Sequence, residues 1–232
     1  MEKNKLFILS LQCTMFFDAL IPLDKNSKID LLTKVTGKLG TLLDGEPTLL
    51  PVPQDAPPDI PRLQLSSKDN SYAYGISLIR SDFTFNQRGE PNKGIGEVCA
   101  QLFAGEKEIL KIYRELMNWG IGRLGMVANY VTELEDSASS FISSKFLVNN
   151  PRYNSIELGL LKKDELDKFH INRWLRIKNI SKSPNVLHLM VDINTFAEEK
   201  LNFNAEGLMT FYDGAIKYLV TEITEEFGGV LK

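Results

Sequence analysis

Two histidines and two cysteines are all that 232 residues hold of the side chains that most often ligate metals or serve as base and nucleophile. The histidines are His170 and His188, and the cysteines are Cys13 and Cys99. The cysteines are far apart in the chain, and each sits inside an apolar pattern. That spacing argues against a disulfide scaffold and against a zinc site, both of which need thiols at short, repeated intervals. Buried free thiols in a reducing compartment are expected instead. Two histidines without a neighbouring nucleophile do not make a hydrolytic triad. His170 and His188 are expected to face each other across a hairpin as a structural pair, with Asp192, on the same face as His188 and two positions beyond Met190, as a hydrogen-bond partner. No catalytic residue, metal ligand or cofactor-binding residue is assigned, and no cofactor is expected.

Phosphate-binding glycine patterns are lacking too. Gly94-Ile95-Gly96 comes nearest, ahead of a helical stretch. It has neither the G-x-G-x-x-G spacing nor the buried strand that a dinucleotide site needs, and there is no Walker sequence. No apolar run approaches the ~18 residues of a membrane helix. The apolar start is broken by Ser10, Gln12 and Thr14, with no small-residue cleavage site soon after. A soluble, cytoplasmic protein with no membrane contact is therefore expected. The formal charge is only −3, so there is no global pull toward nucleic acid or an acidic surface. Charge is uneven locally: residues 161–182 carry seven Lys/Arg against three Asp/Glu, and residues 190–232 carry three against eight.

What the chain does have is a strong pattern near its end. In Val186–Asn194, Leu187, Leu189, Val191 and Ile193 fall on one side of a strand, because side chains alternate along it. Asn204 suits a helix N-cap. Leu208, Phe211, Tyr212, Ala215, Ile216, Leu219, Val220, Ile223 and Phe227 then recur with helical spacing, and Gly228-Gly229 would end the helix. The apolar strand row is expected to bury against that stripe. Upstream, Leu6–Phe17 reads as a strand and Asn26 or Ser27 opens a helix. The prolines of Leu49–Pro61 force an extended loop. Arg62–Ser66 and Tyr72–Ile79 form a hairpin about Asp69-Asn70. A helix from Gly94 is expected to kink at Gly105 and stop at Gly120. Strands follow at Arg123–Glu133, Ile156–Leu161 and Phe169–Ile180, with a short helix capped by Asp136 and a break at Asn149-Asn150-Pro151. This is an α+β order: mostly antiparallel sheet with long amphipathic helices packed on one face. A single domain over 1–232 is expected, with pseudo-related halves 1–120 and 121–232 as a further suggestion.

Arg123-Leu124-Gly125-Met126 leading into a strand with Asn129, Pro61-Arg62-Leu63 in the hairpin, and Val191-Asp192-Ile193-Asn194-Thr195-Phe196 before the terminal helix carry a resemblance. They resemble motifs of a sporadically distributed family of uncharacterised bacterial α+β proteins, over Pro61 to Phe227. The proline-and-acid start of that family is absent here. The resemblance implies an accessory component of a mobile-element or phage-defence gene set, and brings no activity or catalytic residue with it.

The candidate binding surface is the strand at 169–180. Asn172, Trp174, Arg176 and Lys178 share the face opposite Ile171, Leu175 and Ile177, and Arg173 adds local charge. Such a face suits three roles. Trp and Arg anchor protein interfaces, a ring between cations can stack on single-stranded nucleic acid, and charges on an edge strand can simply deter aggregation. The expected function is a non-enzymatic binding or accessory protein with a protein partner, or itself as a homodimer. A single-stranded nucleic-acid-binding module and an enzyme of unrecognised type are the alternatives. A separate charge cluster of Arg80, Asp82 and Arg123 is expected where strands end.

Overall fold

A computed structural model describes residues 5–53, 55–89, 93–149, 153–199, 201–223 and 227. Among these residues nine strands form one antiparallel sheet: β1 (Phe7–Phe17), β2 (Thr48–Leu49), β3 (Leu63–Ser66), β4 (Tyr72–Ile76), β5 (Arg80–Asn86), β6 (Ile121–Glu133), β7 (Glu157–Leu166), β8 (Phe169–Ile180) and β9 (Ser183–Thr195). Their order across the sheet is β2-β3-β4-β5-β1-β6-β9-β8-β7. Four α-helices accompany them among the described residues: α1 (Lys25–Leu39), α2 (Ile95–Lys111), α3 (Ala138–Phe146) and α4 (Ala205–Lys217). After α2 and after α4 the helix widens into one π-helical turn, Ile112–Leu116 and Tyr218–Glu222. Among the described residues no helix is long and apolar enough to cross a membrane.

β1 and β6 lie side by side at the centre of the sheet. β1 is followed by α1 and by the meander β3-β4-β5, whose last strand returns to the free side of β1. β6 is followed by α3 and by the meander β7-β8-β9, whose last strand returns to the free side of β6.

Alternation decides which side chains meet the helices. Leu11, Cys13 and Met15 of β1, Phe83 and Phe85 of β5, Leu124, Met126 and Ala128 of β6, and Leu187, Leu189, Val191 and Ile193 of β9 are all buried. α2 lies against β5 and β1, α4 against β6 and β7, and α3 against β8 and β9. The row Leu187–Ile193 is thus buried as its pattern predicts, but the helix lying against β9 is α3, while the terminal helix α4 lies against β6 and β7. Asn204 caps α4, its side chain accepting from the Gly207 N–H at 2.8 Å. The expected glycine stop at Gly228-Gly229 lies outside the described residues.

Three local expectations are corrected. Gly105 does not kink α2, which runs through it unbroken. It is instead the point of close approach to the sheet: a Cβ there would lie 2.2 Å from Cε1 of buried Phe83. Asp24 rather than Asn26 or Ser27 caps α1, accepting from the Ser27 N–H at 2.8 Å. Ser137 rather than Asp136 precedes α3, with no side-chain cap bond.

One carboxylate is sealed in this core. Glu106 of α2 is 0% exposed, and Tyr212 of α4 donates to its Oε2 at 3.5 Å while Oε1 has no partner. Tyr212 stacks on Phe103 with centroids 4.6 Å apart, locking α2 to α4 at this level. Burial, reinforced by Asp82, holds the Glu106 carboxyl well above the usual range and therefore protonated.

Candidate functional site

The reverse face of the sheet is built from the other half of each strand's alternation, and it is polar. Its geometry follows from the register. Phe16 stands between Arg80 of β5 and Arg123 of β6. Two residues along the strands, Thr14 stands between Asp82 and Gly125, and Gly125 is opposite Asn194. Asn194 in turn is opposite Asn172, and Asp192 is opposite Trp174.

The charge cluster expected from Arg80, Asp82 and Arg123 divides in two. Arg80 Nε lies 3.2 Å from Asp82 Oδ2. Asp82 Oδ1 also accepts from Gln12 Nε2 at 2.7 Å and from Thr14 Oγ1 at 2.8 Å. Arg123 belongs to a second network. Its guanidinium stands 4.5 Å over the Phe16 ring. Nε donates to the Thr195 carbonyl at 3.1 Å, and Nη2 donates to Asn194 Oδ1 at 2.9 Å. Asn194 Nδ2 donates on to Asp192 Oδ1 at 3.0 Å. Partial burial lowers the Arg123 pKa, with Asp192 and Glu198 pulling it back up. A cation so placed remains charged and is held rigidly by neutral amides.

Next to it comes a second aromatic. The Phe196 N–H donates to the His170 carbonyl at 3.1 Å, and the two rings lie 5.8 Å apart. Lys163 Nζ stands 5.5 Å from the Phe196 centroid. His170 pairs with Glu199 and, at 3.5 Å, with Glu165. Cation and aromatic side chains thus interleave near one end of the open face. The chain alone hides this row, since Phe16 and Phe196 are 180 residues apart in a pattern that only the strand register brings together.

Asn172, Trp174, Arg176 and Lys178 do share the open face of β8. Trp174 and Asn172 are partly buried, while Arg176 and Lys178 are exposed. The Arg176 guanidinium lies 5.9 Å from the Trp174 ring. Arg173 does not belong with them. An odd-numbered residue between Asn172 and Trp174 must point to the helix side. There its side chain is 10% exposed, pairs with Asp164 and lies 4.2 Å over the Tyr218 ring. It ties β8 to β7 and to the π-helical turn after α4, on the side of the sheet away from the open face.

His170 and His188 are not a pair. His188 stands opposite Lys178 and Val131, whereas His170 lies at the far end of β8, next to Phe196. In this register His188 faces Lys178, eight residues along β8 from His170, so the histidines fall in different rungs. Burial, and then the neighbouring Lys178, pushes the His188 pKa down. Asp192 accepts from Asn194 rather than serving His188. Both thiols are buried and held protonated by desolvation, Cys99 with its pKa pushed up to about 12.

Two concavities border these features. One of about 380 Å³ lies beside Asp82 and Thr84, walled by Gln64, Ser66, Gly75 and Glu46. The other, about 260 Å³, lies at the start of α4 among Lys168, Phe169, Phe203 and Asn204. What the open face offers chemically is recognition: fixed cations, neutral amide donors and acceptors, and partly covered rings. Comparison with known proteins finds no matching family model, no matching curated protein and no matching solved structure.

Proposed function

We propose that this is a non-enzymatic binding protein that recognises another protein through the open face of its sheet. The observation that carries the reading is Trp174. It is a large aromatic held half-buried by cross-strand neighbours Asp192 and Leu161, with exposed Arg176 beside it. Trp and Arg supply most of the energy at protein interfaces when the surrounding contacts exclude water. Charges of both signs are interspersed there, since Asp82, Asp192 and Glu157 stand among Arg80, Arg123, Arg176 and Lys178, and that mixture suits a protein surface better than a polyanion. A place in a mobile-element or defence gene set goes with this reading. So do two pseudo-related halves, 1–120 and 121–232, with the recognition surface spanning the β1–β6 junction. What supports the halves is the repeated order of strand, helix, returning three-strand meander and helix, each final helix ending in a π-helical turn.

The test is capture by the full chain, comparing the wild type with Trp174→Ala and with Arg176→Ala. Loss of a specific partner is expected, with Arg176→Ala changing stability by no more than about 0.5 kcal/mol. Partners retained by both variants would refute the assignment.

A second reading is favoured by the interleaved row of Arg80, Phe16, Arg123, Phe196 and Lys163: single-stranded nucleic acid, with phosphates on the cations and bases on the rings. Titration of a labelled single strand at two salt concentrations decides it. Affinity that falls steeply as salt rises supports the reading, because phosphate contacts release counterions. No binding at low salt removes it.

A further inference from the structure

The two edges of the sheet are unlike. At one end β2 is two residues long, and the proline-rich Leu49–Pro61 follows it directly. Short edges and missing N–H donors are the usual defence against pairing with another chain. At the other end β7 runs for ten residues with seven of them exposed, and among the described residues it has no strand on its outer side. Its inner side is spent on β8. The Asn179 N–H donates to the Ile156 carbonyl, so even-numbered residues of this strand bond inward. The odd ones bond outward, since antiparallel strands alternate. In keeping with this, the Glu165 N–H finds only the adjacent Asp164 side chain. Glu157, Gly159, Leu161 and Lys163 therefore present N–H and C=O groups to solvent.

We infer that this edge pairs with the same edge of a second copy, antiparallel about a twofold axis at Leu160, to make one continuous sheet. The sequence of β7 selects the register. An axis at Leu160 sets Glu157 of each copy opposite Lys163 of the other, Leu160 opposite Leu160, and Leu161 opposite Gly159, where nothing stands within 4 Å of a built Cβ. An axis at Leu161 would set Glu157 against Glu165, and an axis at Lys162 or Lys163 would set lysine against lysine. Opposite charges directly across a strand pair stabilise it and like charges oppose it. Leu160 and Leu161 are 41% and 45% exposed in the single chain, and the same pairing covers both. Edge charges placed to repel any copy would give like pairs at this axis, and they do not. Lys162 is already bound to Asp164 at 2.9 Å on the helix side. Among the described residues, Glu157 and Lys163 have no carboxylate–ammonium partner within 4 Å. The interface is isologous and leaves Trp174 and Arg176 outside the paired strands. Glu157 and Lys163 border the open face as well, so the partner recognition proposed above is tested separately, at Trp174 and Arg176.

Sedimentation of the full chain over a concentration range tests the inference. The wild type is expected to approach twice the 26.2 kDa of one chain as concentration rises. Glu157→Lys and Lys163→Glu should each weaken self-association at least tenfold, and the double variant Glu157→Lys/Lys163→Glu should restore it, because the swapped charges again meet as opposites. Trp174→Ala should leave the mass unchanged. A wild type that stays at the mass of one chain at high concentration overturns the proposal. So does a dimer indifferent to single reversal, or single reversals that the double variant fails to rescue.

Discussion

Glu106 shows what one side chain can impose on the whole fold. In the unfolded chain its carboxyl titrates near 4.5, and in the folded chain burial keeps it protonated well above that. The native state therefore binds more protons than the unfolded state across the interval between the two values, and stability falls as pH rises through it. The contribution is full below the unfolded value and is lost on approach to the folded one. Glu106→Gln removes the titration while keeping the shape. The variant is expected to match the wild type near pH 4.5 and to exceed it increasingly toward pH 8, by up to about 1.4 kcal/mol for each pH unit gained. Urea unfolding at pH 5 and pH 8 measures this, and a wild type and variant with parallel pH profiles would disprove it. Nothing in the sequence marks Glu106 as buried, because it lies next to the charged Lys107 in an amphipathic run. Single-residue readings succeeded where alternation alone decides, as with Trp174 facing away from Leu175. They failed for Arg173, whose charge suggested solvent while its parity placed it under Tyr218.

At the scale of elements, the fit of α2 and α4 onto the sheet sets which substitutions are costly. Glycine to alanine in a helix gains about 1 kcal/mol from backbone propensity. At Gly105 that gain is outweighed, since the added methyl meets the rigid, fully buried ring of Phe83 at 2.2 Å. Overpacking of this kind costs about 1–3 kcal/mol. At Gly214 the methyl would instead meet the branched end of Leu166 at 2.3 Å, a partly buried side chain able to turn aside. Gly105→Ala is expected to lower Tm by several degrees, and Gly214→Ala to change it little. Thermal melts that rank the two in the opposite order would contradict the packing described. Element existence was readable from periodicity: the Leu6–Phe17 strand, the hairpin about Asp69-Asn70 and the Asn204 cap all stand where local pattern put them. Lengths were less so. β7 runs five residues past its apolar part, through Lys162-Lys163-Asp164-Glu165, because pairing with β8 rather than its own hydrophobicity sustains it.

For the molecule as a whole, the nine strands share one hydrogen-bonded sheet and one apolar cluster that reaches from Leu63 to Phe169. Unfolding should then be a single cooperative event. Tryptophan fluorescence, which reports Trp119 against Phe17 and Tyr113 as well as Trp174, should change together with far-ultraviolet circular dichroism. Separate midpoints would mean that the regions on either side of residue 120 melt alone. The strand order itself was not readable. It depends on β5 and β9 returning beside β1 and β6, and local patterns carry no record of which strand a chain returns to.

The central place of β1 has a consequence during synthesis. This first strand leaves the ribosome with neither neighbour made, since β5 starts at Arg80 and β6 at Ile121. At roughly 5–20 residues per second, the chain takes several seconds or more to supply them. Through that delay the row Leu11, Cys13 and Met15 has no native surface to rest on. The nascent protein should accordingly lean on holding chaperones early, and refolding of the finished chain should be slow for its size, as closure over long sequence distances demands.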